Sequence, residues 1–180
     1  MYNEGLIYQS DYIINWDPVL QSAISDAEVN HQEVQGNFYH LHYRIKDSNQ
    51  VLEIATTRPE TLYGDTAIAV NPNDDRFEHL IGKMAIVPIC DREIPIIADT
   101  HVDMELGTGC LKVTPGHDFN DYEIGKRNNL EIINIINKDG TLNENAKAVE
   151  GLTTKAAREK TIELLKETEQ LVNIEPHTHQ

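Results

Sequence analysis

Residues 107–121 read Gly-Thr-Gly-Cys-Leu-Lys-Val-Thr-Pro-Gly-His-Asp-Phe-Asn-Asp, which predicts a strand joined directly to a helix. The two glycines bend the backbone ahead of the strand-like run Cys110–Thr114, and Pro115 ends that strand. Asp118 is suited to cap the N-terminus of a helix, and Asn129 can end the same helix. At such a junction the backbone N–H groups of the helix start can serve a ligand.

A second junction of the same kind lies in residues 56–66, Thr-Thr-Arg-Pro-Glu-Thr-Leu-Tyr-Gly-Asp-Thr. Val51–Thr56 has the pattern of a buried strand. Pro59 in the first turn, and Thr57 three residues before Glu60, predict a short helix that begins with a capping box. Gly64 is expected to end this helix.

The rest of the chain adds short strands and few helices. Further strands are predicted at Tyr12–Pro18, Gly36–Ile45, Asp65–Val70, Met84–Ile89, Glu93–Ala98 and Ile132–Ile136, a short helical piece at Arg76–Ile81, and an amphipathic helix at Thr153–Val172. The tail 175–180 carries no signal for a helix or a strand. We expect one α+β domain over residues 1–180, with a β-barrel-like antiparallel core, a few peripheral helices, and peripheral arms at 1–35 and 173–180.

Composition and charge exclude several classes of protein. A chain of 180 residues with 39% hydrophobic and 25% charged residues is globular rather than disordered. Its longest apolar run, Ala85–Cys90, is much shorter than the ~20 residues of a membrane-spanning helix, so no membrane partner is expected. Two cysteines and no leader-like start favour a cytoplasmic protein. A net charge of −15 argues against independent binding of nucleic acid, which depends on a high density of cations.

Four polar side chains are placed to converge on one small pocket. Lys112 and Thr114 are two apart on a strand and face the same side, while Asp118 and Asp121 follow at i, i+3 spacing. A purely structural interpretation also fits, because Asp118 can be a helix cap, Asp121 a first-turn carboxylate, and Lys112 the partner of either. We expect Cys110 to be a small strand residue rather than a nucleophile, since no base lies near it in sequence.

The two junctions together resemble the editing domain of the class I aminoacyl-tRNA synthetases, in particular that of the valyl type. The match covers Thr56–Thr66 and Gly107–Asp121, and it extends to Asn15–Pro18, Ile94–Asp99 and Asn137–Thr141. The resemblance implies the fold of that domain and a hydrolytic activity that needs no cofactor and no metal. Two positions depart from the family: Gly116 replaces the more usual alanine, and Leu106 stands where some relatives have an aromatic residue.

The resemblance also implies roles for individual residues. Asp121 is expected to bind the substrate ammonium, although the two aspartates could exchange this role with recognition of the hydroxyl. Arg58 is expected to orient the terminal ribose or the aminoacyl group. The catalytic candidates are Asp121, Asp118, Lys112 and Arg58, and the substrate-binding candidates are Thr57, Thr61, Asp65, Leu106, Thr114 and His117.

The implied substrate is threonine esterified to the 3′ end of tRNA(Val). An apolar valine site is documented to reject the isosteric threonine only ~10²-fold, so a second, polar site is needed. The chain lacks the signatures of a nucleotide-binding half, so we expect an inserted domain, monomeric alone, whose partners are the aminoacylated 3′ end of tRNA(Val) and the remainder of a synthetase. Two alternatives stay open: a free-standing hydrolase that acts in trans, and a binding module without catalysis.

Overall fold

A computed structural model describes residues 1, 3–30 and 34–179. The strands that these residues form are β1 (Asn15–Asp17), β2 (Ser22–Ile24), β3 (Val34–Ile45), β4 (Val51–Thr56), β5 (Ala67–Val70), β6 (Met84–Ile86), β7 (Glu93–Ala98), β8 (Cys110–Val113) and β9 (Leu171–His179). The α-helices are α1 (Phe119–Arg127) and α2 (Thr154–Glu167), and short 3-10 helices lie at Asp26–Glu28, Pro59–Gly64, Glu78–Leu80 and Glu144–Val149.

The main sheet is a mixed, nearly closed barrel. Its strands follow the order β4-β3-β6-β7-β5-β8, and the two end strands β4 and β8 lie in contact. Neighbouring strands are antiparallel except β5 and β7, which are parallel. β9 pairs antiparallel with β3 outside this path, and β1 and β2 form a separate two-stranded ribbon. The predicted α+β class with a barrel-like core and few helices is therefore confirmed, with one parallel pair in place of a fully antiparallel core.

The barrel is filled by alternating side chains of its strands. On β3, Leu41, Tyr43 and Ile45 point inward and are almost completely buried, as a period of two requires. A second apolar cluster joins Ala67, Val113 and Ile124, and so fixes α1 against β5 and β8. Consequently the strand end at Val113 and the start of α1 are held in one place. No helix among the described residues is both long and apolar enough to cross a membrane.

Several predicted elements agree with the structure. β4 has the predicted bounds, two further predicted strands are found as the antiparallel pair β6 and β7, and α1 begins after Asp118 as expected. Asp118 Oδ1 accepts a hydrogen bond of 3.0 Å from the backbone N–H of Asp121, which is the predicted N-cap.

The strand predicted at Ile132–Ile136 is wrong, since the segment contributes only an isolated bridge between Ile136 and Leu142. Backbone groups of this segment form hydrogen bonds with side chains instead. The N–H of Ile135 donates to the ring of His117, and the carbonyl oxygen of Asn134 accepts from the side chains of Asn143 and Asn145.

The C-terminal predictions also need correction. The last helix ends at Glu167 rather than near Val172, and Glu169 adopts a positive φ of 58° that turns the chain. The tail predicted to lack regular structure is strand β9, paired with β3 from Val34 to Leu41. Whether the arms at 1–35 and 173–180 join a longer chain stays a prediction, and residues 2, 31–33 and 180 lie outside the described residues.

Candidate active site

The two junctions that the sequence singled out meet at one cavity of about 540 Å³. It lies between the end of β4, the 3-10 helix Pro59–Gly64, the loop before β8, and the first turn of α1. Of the predicted site residues, it is lined by Thr57, Arg58, Thr61, Leu106, Lys112, Thr114, His117, Asp118 and Asp121. Asp65 is the exception, because it is fully buried beneath the cavity and does not line it.

The cavity floor is a cluster of polar side chains centred on Lys112. Its Nζ donates hydrogen bonds to Thr61 Oγ1 at 2.9 Å, Asp65 Oδ1 at 2.8 Å and Thr114 Oγ1 at 2.6 Å. Lys112 and Thr114 therefore share one face, as their spacing predicted. The charge of the ammonium is compensated by the buried carboxylate of Asp65, the pairing that a buried ion requires.

One member of this cluster, Tyr43 on β3, was not among the predicted site residues. Its hydroxyl donates to Asp65 Oδ2 at 2.6 Å, and both side chains are fully buried. The available signal was the strand pattern, which places Tyr43 in the core, where a phenol needs a polar partner. Burial, followed by the negative charge of Asp65, raises the pKa of Tyr43 well above its usual value, so the phenol stays protonated.

The start of α1 brings two carboxylates to the cavity wall. Asp121 Oδ2 accepts a hydrogen bond of 2.9 Å from the backbone N–H of Thr114, which connects the helix to the end of β8. Burial, and then the neighbouring charge of Asp118, raises the pKa of Asp121 to about 7. Asp118 is both the helix cap and a cavity residue, so its structural interpretation is confirmed, and its role toward a substrate stays a prediction.

Arg58 and His117 connect the two junctions. Arg58 Nη1 donates to the carbonyl oxygen of His117 at 2.9 Å. The ring nitrogen Nε2 of His117 accepts from the N–H of Ile135 at 2.9 Å, which requires that nitrogen to be unprotonated. Burial, and then the charges of Arg58 and Lys112, lowers the pKa of His117 to about 4. The His117 ring thus lies in the wall as a neutral side chain.

The predicted capping box at Thr57 is wrong. The 3-10 helix has Arg58 at its N-cap and no side-chain cap, and Glu60 turns away to bind Arg158 on α2. This leaves the side chain of Thr57 free to line the cavity.

The loop before β8 forms an exposed rim. Leu106 on this loop is 64% exposed. Arg76 fixes the loop, since its Nη2 donates to the carbonyl oxygen of Met104 at 2.9 Å while its Nε and Nη2 hold Asp74. Gly109 is needed here: its φ is +78°, and a Cβ would lie 2.5 Å from Nη2 of Arg76.

The described residues also bear on a thiol nucleophile and on a metal site. Burial raises the pKa of the Cys110 thiol to about 12, so the reactive thiolate is suppressed. In the same residues, no group of three His, Cys, Asp or Glu side chains is arranged to hold a metal ion.

The chain is similar in sequence to known proteins. The family model described as "Leucyl-tRNA synthetase, editing domain" matches residues 77–175. The valine–tRNA ligase of Oceanobacillus iheyensis is 55% identical over the whole chain, and that of Bacillus subtilis is 53% identical over 99% of it. In both cases the chain spans only 20% of the length of the relative.

Solved structures show the same fold at lower sequence identity. The agnB2 LeuRS of Agrobacterium radiobacter K84, in a ternary complex with tRNA and LeuAMS, has a TM-score of 0.62 at 22% identity. That match covers 82% of this chain and 20% of the other. The structure described as GlLeuRS-CP1 has a TM-score of 0.58 at 15% identity, covering 77% of this chain and 98% of that one.

Barrel, cavity and comparisons together define the editing domain of a class I aminoacyl-tRNA synthetase. The chain belongs to this family, and its similarity to the ligases of two bacteria places it with the valyl type.

Proposed function

We propose that the chain hydrolyses the ester between threonine and the 3′-terminal adenosine of tRNA(Val), and so removes the wrong amino acid from that tRNA. The observation that carries this proposal is the polar floor formed by Lys112, Thr61 and Thr114 at the bottom of the cavity. A hydroxyl-bearing side chain can pair with such a floor. The isosteric side chain of valine would leave the polar groups of the floor unpaired, which costs ~1–3 kcal/mol for each buried group.

The reaction requires only water as the second substrate. Water oxygen attacks the ester carbonyl carbon, the bond from that carbon to the ribose oxygen breaks, and the ribose oxygen takes a proton. Threonine and tRNA with a free 3′ end are released. An ester is already activated, so positioning of water and polarisation of the carbonyl account for the rate without a covalent intermediate.

The wall of the cavity supplies complementary charges. Asp121, when ionised, and Asp118 present negative charge to the substrate ammonium, whereas Arg58 presents positive charge toward the ribose or the carbonyl oxygen. Lys112 organises the hydroxyls of the floor and does not polarise the ester itself, because its three protons are already donated within the floor.

Release of amino acid tests the proposal directly. The chain is incubated with tRNA(Val) carrying radiolabelled threonine or valine, and acid-soluble label is followed over time. We expect release of threonine and little release of valine. A binding module without catalysis would release neither amino acid.

We further propose that the remainder of a synthetase holds the tRNA body and delivers its 3′ end to this cavity. The net charge of −15, together with the similarity to ligases about five times longer, supports this arrangement. A tethered 3′ end gains a high effective concentration without new contacts. The chain alone should bind tRNA weakly, and a nanomolar dissociation constant in filter binding would instead favour the free-standing hydrolase.

A further inference from the structure

Every proton of the Lys112 ammonium is used inside the protein. An ammonium has three donors and no acceptor, and those of Lys112 go to Thr61, Asp65 and Thr114. Lys112 is buried, so water does not compete for these bonds. A ligand that enters the cavity therefore receives no hydrogen bond from Lys112.

The two hydroxyls of the floor, those of Thr61 and Thr114, also donate their protons to acceptors inside the protein. Thr114 Oγ1 donates to Asp65 Oδ1 at 2.7 Å, and Thr61 Oγ1 donates to the carbonyl oxygen of Arg58 at 2.9 Å. Each hydroxyl has one donor and two lone pairs, and one lone pair already accepts from Lys112. What remains on each oxygen is a single lone pair.

The orientation of the Thr114 hydroxyl is set from below by Asp65 and Tyr43. An ionised carboxylate only accepts hydrogen bonds, so the hydroxyl must direct its proton toward Oδ1 of Asp65. The phenol of Tyr43 donates to the other oxygen, Oδ2, and thereby fixes the plane of the carboxylate. Tyr43 and Asp65 are fully buried and do not line the cavity, so both act through Thr114 and Lys112.

We propose that Tyr43 and Asp65 fix the polarity of the Thr114 hydroxyl, so that the cavity floor selects an aminoacyl side chain that donates a hydrogen bond. Thr61 offers a lone pair for a separate reason, because its proton goes to the carbonyl oxygen of Arg58. This inference rests on the proposed hydrolysis and specifies how its substrate is recognised. The substrate class is an aminoacyl ester whose side chain carries a hydroxyl proton. A side chain that only accepts leaves two oxygen lone pairs facing it, which is repulsive as well as unpaired.

An isosteric substrate pair tests the polarity on the native chain. Threonyl-tRNA(Val) is compared with the same tRNA carrying 2-amino-3-fluorobutyrate, in which fluorine replaces the hydroxyl and cannot donate. We expect kcat/KM for the fluorinated ester to be at least tenfold lower. Equal values for the two esters would overturn the inference and leave the hydrolysis intact, whereas failure to cleave the threonyl ester would remove the proposed function itself.

Two variants test the positioning residues. In Asp65→Asn the amide can donate toward Thr114 and free its proton for the cavity, and in Tyr43→Phe the carboxylate loses its fixed plane. We expect the ratio of kcat/KM between threonyl and fluorinated esters to narrow at least threefold in each. A variant that only disturbs the structure would lower kcat/KM equally for both esters and leave their ratio unchanged.

Tyr63→Phe is the matched control. Tyr63 is equally buried and its hydroxyl bonds to Thr161 Oγ1 at 3.1 Å, outside the cavity lining. In this variant we expect the ratio of kcat/KM between threonyl and fluorinated esters to equal that of the native chain. If Asp65→Asn does not fold, the inference is tested by Tyr43→Phe and by the substrate pair on the native chain. If Tyr43→Phe keeps the native ratio of kcat/KM between the two esters, the role given to Tyr43 is contradicted.

Discussion

The guanidinium of Arg158 on α2 binds the carboxylate of Glu60 through two hydrogen bonds, 2.9 Å from Nε and 2.8 Å from Nη2. The two residues are 98 positions apart, and Glu60 is only 1% exposed. This pair ties α2 to the 3-10 helix that carries Arg58 and Thr61 into the cavity. A helix at the far end of the chain thereby supports one wall of the site.

Arg158→Ala should destabilise the chain strongly, because it removes both hydrogen bonds of the buried Glu60 carboxylate and leaves it only the longer ion pair of 3.7 Å with Nε of Arg58. We expect a loss of about 3 kcal/mol in the free energy of unfolding, near the lower end for broken buried pairs since the Arg158 side chain is 39% exposed. Urea denaturation measures this loss. Lys160→Ala on the same helix is the control: it breaks an exposed pair with Glu163 and should change the free energy of unfolding little. Equal losses in the two variants would contradict the importance given to the Glu60 pair.

The same pair explains why the capping box could not be predicted correctly. A threonine three residues before a glutamate is a local signal, whereas the partner that Glu60 binds lies on another helix. Local patterns did predict what depends on local chemistry. The alternation of β4, the cap at Asp118, and the shared face of Lys112 and Thr114 all agree with the structure.

Elements that depend on distant partners were missed. β9 contains Glu175-Pro176 and polar residues that are not typical of a strand, yet it forms one by pairing with β3. Proline is tolerated there because β9 has one strand neighbour and lies at an edge. Conversely, Ile132–Ile136 has strand-like composition, but side chains take its backbone groups. Asp65 was assigned to the substrate because the family resemblance grouped it with Arg58 and Thr61, although its own side chain lies beneath the floor.

Gly116→Ala should lower both stability and turnover. A Cβ at residue 116 would lie 2.6 Å from the carbonyl oxygen of Ile133, a backbone atom, so the 133–135 segment has to shift. We expect a cost of about 1–3 kcal/mol, measured by thermal unfolding, and a lower kcat/KM because the bond between Ile135 and His117 moves.

Gly151→Ala is the control that separates the loss of stability in Gly116→Ala from its loss of turnover. Residue 151 has open space and a φ of +77°, so alanine there is strained but does not touch the cavity. This control should lose stability and keep its turnover. Native stability in Gly116→Ala would show that the 133–135 segment accommodates the extra methyl group freely.

Asp121→Asn should abolish most of the hydrolysis and leave the fold intact. Asparagine keeps an oxygen that can accept from the N–H of Thr114, whereas alanine would leave that buried donor unpaired at ~1–3 kcal/mol. If the carboxylate binds the substrate ammonium, its loss should lower kcat/KM about 10²-fold or more. Release of labelled threonine measures the activity, and unfolding in urea measures the stability. Native turnover in a folded variant would refute the role given to Asp121.

The raised pKa of Asp121 predicts that this residue lowers stability as the pH increases. Its pKa is about 7 in the folded chain and about 4 when unfolded, so between these values the folded chain holds a proton that the unfolded chain has lost. The stability from this group is therefore present below pH 4 and lost as the pH rises through 7. The free energy of unfolding of the native chain, minus that of Asp121→Asn, should fall over this window in urea titrations. A difference that stays flat would show that Asp121 is ionised throughout.

His117 should show the opposite dependence. Burial, and then Arg58 and Lys112, lowers its folded pKa to about 4, whereas the unfolded value is about 6.5. Between these values the unfolded chain binds a proton that the folded chain does not, so the stability from this group is lost as the pH falls from 6.5 to 4. His117→Gln keeps an acceptor for the N–H of Ile135 and does not titrate. The free energy of unfolding of the native chain, minus that of His117→Gln, should rise from pH 4 to 6.5. A difference that falls instead would mean that the ring is protonated in the fold, which its hydrogen bond from Ile135 forbids.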